Sequence, residues 1–131
     1  MSAEKRDFIL VIEDDPALAR MLQQLLESFG YDVQRAGLGE AALRLAAEHR
    51  PDLTLLDLML PDMDGYEVCR QLRLLYHGSI MPIVIVTARS LPIDQLRGVA
   101  SGADAYLRKP FDSVDLIKTV VTLREQASIS A

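Results

Sequence analysis

Three short runs constrain what this chain can fold into: Phe8-Ile9-Leu10-Val11-Ile12, Leu53-Thr54-Leu55-Leu56-Asp57 and Pro82-Ile83-Val84-Ile85-Val86-Thr87. Each is largely apolar and none alternates, so each reads as a strand buried on both faces of a parallel sheet. Each also runs into a polar group: Glu13-Asp14-Asp15 after the first, Asp57 on the second, Thr87 on the third. Such a strand delivers its last side chain to the carboxyl edge of the sheet, where open α/β sheets form a crevice.

The segments between these runs read as helices. Asp15 and Pro16 suit an N-cap and a first turn, and Leu18, Met21, Leu22, Leu25, Leu26 and Phe29 recur at helical spacing up to Gly30. Tyr31 to Ala36 is a shorter, alternating strand suited to an edge. Helices follow at Glu40–His49 and from Tyr66 to Leu75, with a turn at His77-Gly78-Ser79. Ala88 to Ser90 read as loop, and Pro92 opens a short helix that Gly98 and Gly102 weaken or end. Ala103 to Leu107 is a last short strand, followed by Arg108-Lys109-Pro110-Phe111 and a helix from about Ser113 to Arg124. Five β-branched residues between Ile117 and Thr122 lower that helix's intrinsic propensity, so packing must hold it. Five alternating strand–helix units predict one doubly wound α/β domain over residues 1–125, with 126–131 a frayed tail.

The 131 residues carry a formal charge of −5, which speaks against a nucleic-acid surface on this segment. A single cysteine, Cys69, excludes an intramolecular disulfide or a thiolate metal cluster. The polar start, Met1 to Asp7, lacks the apolar core of a signal peptide, and no run approaches membrane-spanning length. A cytoplasmic protein without membrane contact is the expectation.

The strand ends bring carboxylates, a hydroxyl and the Lys109 ammonium toward one crevice. Clustered carboxylates repel unless a cation joins them, and Mg²⁺ needs only one or two direct carboxylates plus waters. The same ion would neutralise an incoming phosphoryl group, with Asp57 as nucleophile.

The motifs Ile9–Pro16 (ILVIEDDP), Asp57–Gly65 (DLMLPDMDG), Val86–Ala88 (VTA) and Gly102–Phe111 (GADAYLRKPF), in this order and spacing, resemble the receiver domains of bacterial two-component response regulators. The similarity spans Phe8 to about Arg124. It implies a flavodoxin-like fold with five helices and the family's strand order 2-1-3-4-5. It also implies a phosphorylation-activated switch rather than an enzyme, apart from self-directed phosphotransfer and autodephosphorylation. Asp57 is then the phosphoacceptor and one of the metal-site residues, and Asp14 binds Mg²⁺ directly. Glu13 acts largely through water, and Met59 offers its backbone carbonyl to the metal. Lys109 pairs with the phosphoryl oxygens and Thr87 hydrogen-bonds one of them. Tyr106 matches the switch aromatic, and Lys109–Pro110 the peptide that is usually cis. Met59 and Arg89, two residues beyond Asp57 and Thr87, are expected to modulate phosphoryl lifetime. The implied donor is a histidine kinase or phosphotransfer protein, with an unnamed downstream output.

Two other functions compete. A haloacid-dehalogenase-type phosphatase needs a second acid two residues after its nucleophile, and Met59 cannot transfer a proton. A flavodoxin-like FMN carrier needs a Ser/Thr/Gly-rich phosphate loop, where this chain has Glu13-Asp14-Asp15-Pro16. Asp62 and Asp64 read as turn formers before Gly65. His49 and His77 read as surface residues, and Cys69 as packing. Leu116 to Glu125 carries only Lys118, Arg124 and Glu125, too few charges for the last-helix dimer of DNA-binding regulators.

Overall fold

Buried apolar runs can satisfy their backbone groups only by pairing with one another, and here they do so in a single parallel sheet. The computed structural model describes residues 6–76, 81–89 and 91–130; the expectations for the N-terminal residues 1–5, the turn His77-Gly78-Ser79, Ser90 and Ala131 lie outside them. The elements alternate strictly: β1 (Phe8–Ile12), α1 (Pro16–Ser28), β2 (Asp32–Ala36), α2 (Gly39–Glu48), β3 (Leu53–Leu56), α3 (Gly65–Leu75), β4 (Ile83–Thr87), α4 (Pro92–Ala100), β5 (Ala105–Arg108) and α5 (Ser113–Ser130). The strands lie in the order β2-β1-β3-β4-β5, every neighbouring pair parallel.

Period-two alternation divides each central strand between two cores. Leu10, Ile12, Leu56, Ile83 and Ile85 pack with Ala42, Ala46, Val68, Cys69 and Leu72 of α2 and α3. Ile9, Val11, Leu53, Leu55, Val84 and Val86 pack with Leu22 and Leu26 of α1 and Leu116, Ile117 and Val120 of α5. Each fully buried Leu, Ile or Val in these layers contributes roughly 1.5–3 kcal/mol. β2 and β5 close the edges and are correspondingly more exposed. Cys69 is buried, as expected of a packing residue.

Several boundaries differ from the sequence reading. β3 stops at Leu56, and Asp57 continues the line only through its amide, which donates to the Ile12 carbonyl (2.9 Å). β5 begins at Ala105 rather than Ala103, since Ala103 and Asp104 donate their amides to Gly98 and Ile83 in the turn. α5 does not fray after Arg124: it continues helically to Ser130, with Ala127 buried. Arg124 anchors that helix by donating from Nε to Asp7 Oδ2 (2.9 Å). α4 is the least embedded helix; its one buried residue is Gly98, while Leu91 before it and Ile93, Leu96 and Val99 within it are exposed.

Candidate functional site

The parallel sheet gathers the polar ends of β1, β3, β4 and β5 at one edge, and the register sets who meets whom. Ile12 lies opposite Leu56, so the residues that follow, Glu13 and Asp57, emerge side by side. Thr87 closes β4 opposite Arg108, and the Lys109 amide donates to the Thr87 carbonyl (2.8 Å). The Lys109–Pro110 peptide that follows is cis.

The Lys109 ammonium bridges two carboxylates. Nζ donates to Glu13 Oε1 at 2.7 Å and to Asp57 Oδ2 at 2.9 Å. Glu13 and Asp57 are each only 5% exposed, so both bonds lie where water screens little. The remaining carboxylate oxygens are also used: Glu13 Oε2 accepts from the Asp15 amide (3.1 Å), and Asp57 Oδ1 from the Met59 amide (3.0 Å). Asp14, the exposed third acid, completes a group in which one carboxylate oxygen from each acid lies within 4.8 Å of the others. Burial pushes Glu13 above the usual carboxylate range; its bonds to Lys109 and Asp15 oppose this and Asp57 nearby adds to it. Burial alone would lower Lys109, but its two carboxylate bonds outweigh that and hold it above an ordinary lysine.

An open cleft of about 500 Å³ leads away from this group, lined by Asp14, residues 58–64 and Arg89. The loop beneath it is closed by the Gly65 amide on the Leu58 carbonyl (3.1 Å) and by a bridge between Met59 and Asp64. Gly65 is required there: a Cβ would sit 2.4 Å from Leu58 Cα and 2.9 Å from the Asp57 carbonyl oxygen. The Met59 side chain stands half-exposed at the rim.

Thr87 is wholly buried, and among the described residues its Oγ1 accepts from the Arg89 amide (3.4 Å) rather than meeting Asp57. Tyr106 is packed inward against the α2–α3 core, and its hydroxyl donates to the Arg89 carbonyl (2.8 Å). Burial, with Tyr66 and Asp94 nearby, pushes the Tyr106 phenol up to about 12. Arg89 therefore joins Thr87 to Tyr106 through its backbone, while its guanidinium lies 5.8 Å from the Tyr66 ring centroid.

Glu13, Asp14, Asp57 and Lys109 thus converge, with Met59 beside them and Thr87 and Tyr106 linked through Arg89. Two features escape the sequence reading. Asp62, read as a turn former, accepts from the amides of Gly39 (2.8 Å) and Glu40 (3.0 Å) at the start of α2. The available signal was Leu38, an N-cap residue without a capping side chain, which leaves α2 needing an acceptor from elsewhere. Tyr66 of α3 ties to α4, its hydroxyl donating to the Asp94 carbonyl (3.0 Å) while the Arg97 guanidinium lies 4.2 Å from its ring centroid. Asp64, also read as a turn former, is the N-cap of α3, accepting from the Tyr66 amide (2.9 Å).

The family model described as the response regulator receiver domain matches residues 9–121. The DNA-binding response regulator MtrA of Mycolicibacterium smegmatis is 48% identical over 115 residues, covering 88% of this chain and 49% of that protein. The alkaline phosphatase synthesis transcriptional regulatory protein PhoP of Bacillus subtilis is 41% identical over 123 residues, covering 94% of this chain and 50% of that protein. The chain therefore spans about half the length of these curated relatives. A CheY-like response regulator receiver domain protein of Methanospirillum hungatei superposes with a TM-score of 0.92 at 28% identity, covering 97% of this chain and 100% of that one. The receiver domain of a sensor histidine kinase of Pseudomonas aeruginosa, solved with a magnesium ion coordinated in its active site cleft, superposes with a TM-score of 0.83. It is 32% identical, covering 92% of this chain and 99% of that one.

Proposed function

The chain belongs to the response regulator receiver domain family, whose standard function is that of a phosphorylation-activated signalling switch, and from that premise we propose that Asp57 takes the phosphoryl group. One observation carries the reading: a lysine bonded at once to Glu13 and Asp57, with Asp14 in the same 4.8 Å group, at the converging carboxyl ends of the strands.

The donor set fits Mg²⁺, a hard ion satisfied by few carboxylates, a carbonyl and waters. Asp14, the exposed acid, and Asp57 would hold the ion directly; Glu13, buried and bonded to Lys109, would act largely through water; the Met59 carbonyl would add a neutral oxygen. Bound there, Mg²⁺ supplies neutralising charge for the incoming phosphoryl oxygens. The likeness to a receiver domain solved with magnesium in its cleft supports the choice of ion.

The Asp57 carboxylate attacks the phosphorus of a phosphohistidine in line, forming an O–P bond as the P–N bond breaks and the imidazole leaves. Lys109 then exchanges its bond to Asp57 for the new phosphoryl oxygens. Thr87 turns its hydroxyl from the Arg89 amide to another of them, and Tyr106 reports that turn through the Arg89 carbonyl to α4. Arg89 and Met59, at the rim of the cleft, govern water's access and so the rate of autodephosphorylation.

The chain is a signalling module, and no helix among the described residues is long and apolar enough to cross a membrane. The domain acts in the cytoplasm, and its donor is a histidine kinase or phosphotransfer protein. Residues 1–125 carry the receiver unit, and α5 continues past them to Ser130. The downstream output is a partner or attached domain, the unit itself making no nucleic-acid contact.

Acetyl phosphate with Mg²⁺ tests the reading by intact mass. Wild type gains one phosphoryl group and Asp57→Ala gains none. An equal gain in Asp57→Ala, or none in wild type, overturns it.

A further inference from the structure

The two walls of the cleft are fastened to the same short segment, Ala36 to Glu40. On one side the Glu13 amide donates to the Ala36 carbonyl (3.0 Å). Gly37 lies against the same wall, where a Cβ would be 3.8 Å from Asp14 Cα and from the Glu13 carbonyl oxygen. On the other side Asp62 Oδ1 accepts from the Gly39 amide and Oδ2 from the Glu40 amide, at 2.8 and 3.0 Å. Met63 beside it fills the notch left by Gly39, where a Cβ would lie 2.4 Å from Met63 Cγ.

These contacts divide the loop from Asp57 to Gly65. Its inner residues are closed by the loop's own bonds, Met59 on Asp57, Gly65 on Leu58 and the Met59–Asp64 bridge. Its outer turn is tied across to α2 by Asp62 and Met63. Asp62 is the stronger tie, because a carboxylate on two first-turn amides is charge-assisted and complements the helix dipole. An asparagine would offer one acceptor and turn its NH₂ toward the second amide.

We propose that Asp62 is a positioning residue for the metal cleft. Acting with the strut Ala36–Glu40, it fixes the span between the acid pair Glu13–Asp14 and the loop that presents the Met59 carbonyl. This rests on the reading that Mg²⁺ binds at Glu13, Asp14 and Asp57. Asp62 reaches the ion only through the loop, as an outer residue that orients an inner ligand.

The test is Mg²⁺ titration followed by amide NMR on wild type, Asp62→Ala, Asp62→Asn and Asp52→Ala. Asp52 accepts from the Phe8 amide (2.7 Å) at the opposite end of the sheet, so its variant controls for lost stability alone. Asp62→Ala weakens Mg²⁺ roughly tenfold or more, as outer-residue losses do, and Asp62→Asn falls between it and wild type. Asp52→Ala binds Mg²⁺ like wild type. Wild-type affinity in Asp62→Ala, or equal weakening in Asp52→Ala, overturns the positioning role. Should Asp62→Ala fail to fold, Asp62→Asn decides: wild-type affinity there overturns it too. A wild type that binds no Mg²⁺ instead overturns the metal reading on which the proposal rests.

Discussion

Gly98→Ala is the sharpest probe of how α4 is seated on Tyr106. A Cβ at position 98 would stand 3.1 Å from Tyr106 Cδ2 and 3.2 Å from Ile85 Cδ1. Ordinary carbon contacts begin near 3.5 Å, so either α4 lifts or Tyr106 moves by about 0.4 Å. Alanine gains about 0.8–1.0 kcal/mol over glycine in a helix interior. Overpacking a filled site costs about 1–3 kcal/mol, so the net is a loss of up to about 2 kcal/mol. If Tyr106 swings out instead, its bond to the Arg89 carbonyl goes, a loss of about 0.5–1.5 kcal/mol before any lost ring burial. Urea unfolding reads the first quantity, and ¹³C-tyrosine NMR titration of the Tyr106 phenol reads the second. In wild type that phenol is pushed up to about 12 by burial, with Tyr66 and Asp94 adding to it. A phenol raised in the fold contributes stability that is fully present below its ordinary value near 10 and is lost as pH rises toward 12. In Gly98→Ala the phenol returns toward 10 and the alkaline loss narrows. A variant about 1 kcal/mol more stable, with its phenol still near 12, refutes the seating argument.

Arg73→Ala should separate stability from chemistry. Its guanidinium donates to the Gly102 and Met81 carbonyls and pairs with Asp104, all before β4 and β5 and far from Asp57. We expect a loss of about 2–3 kcal/mol in urea unfolding, with acetyl phosphate labelling intact. Gly65→Ala should damage both: its Cβ meets the Leu58 backbone, which cannot rotate away, so labelling slows and stability falls by about 2–3 kcal/mol. Mg²⁺ should raise the melting temperature at neutral pH by an increment that fades toward acid. The sign follows from Glu13, whose carboxyl is raised by burial despite Lys109. Its stability contribution is present at low pH and lost as pH rises through its folded value; at neutral pH a bound cation offsets that loss. An increment that grows on acidification would contradict this.

The central sheet was readable because β1, β3 and β4 are apolar on both faces, a pattern few environments other than a covered parallel sheet can accept. The chemical end was readable because strand termini in such a sheet share one edge, so Glu13, Asp57 and Lys109 could be brought together without knowing a single angle, whereas the turn of the Thr87 hydroxyl to the Arg89 amide could not be foreseen. Asp62 was not readable, because the amides that donate to it belong to the first turn of α2, more than twenty residues away in sequence. Local sequence offers a turn as a sufficient explanation for an aspartate before Met63-Asp64-Gly65. The continuation of α5 was missed for the opposite reason. Past Arg124 the composition is weak, and the burial of Ala127 depends on tertiary packing that no local pattern announces.

The two ends of the sheet also differ in how their charges close. At the amino ends of the strands the cations and acids match: Arg73 meets Asp104, Arg124 meets Asp7, and Asp52 is taken by the Phe8 amide. Among the described residues these groups are all partnered. At the carboxyl ends three carboxylates share one ammonium, and Lys109 reaches only two of them. Those three acids and Lys109 together therefore keep two formal negative charges, with Glu13 displaced by burial toward holding a proton. A fold selected only for stability would pair or remove that excess, since replacing buried ion pairs by apolar groups is often neutral or favourable. The unbalanced end is where the proposed divalent cation and phosphoryl group would be accommodated.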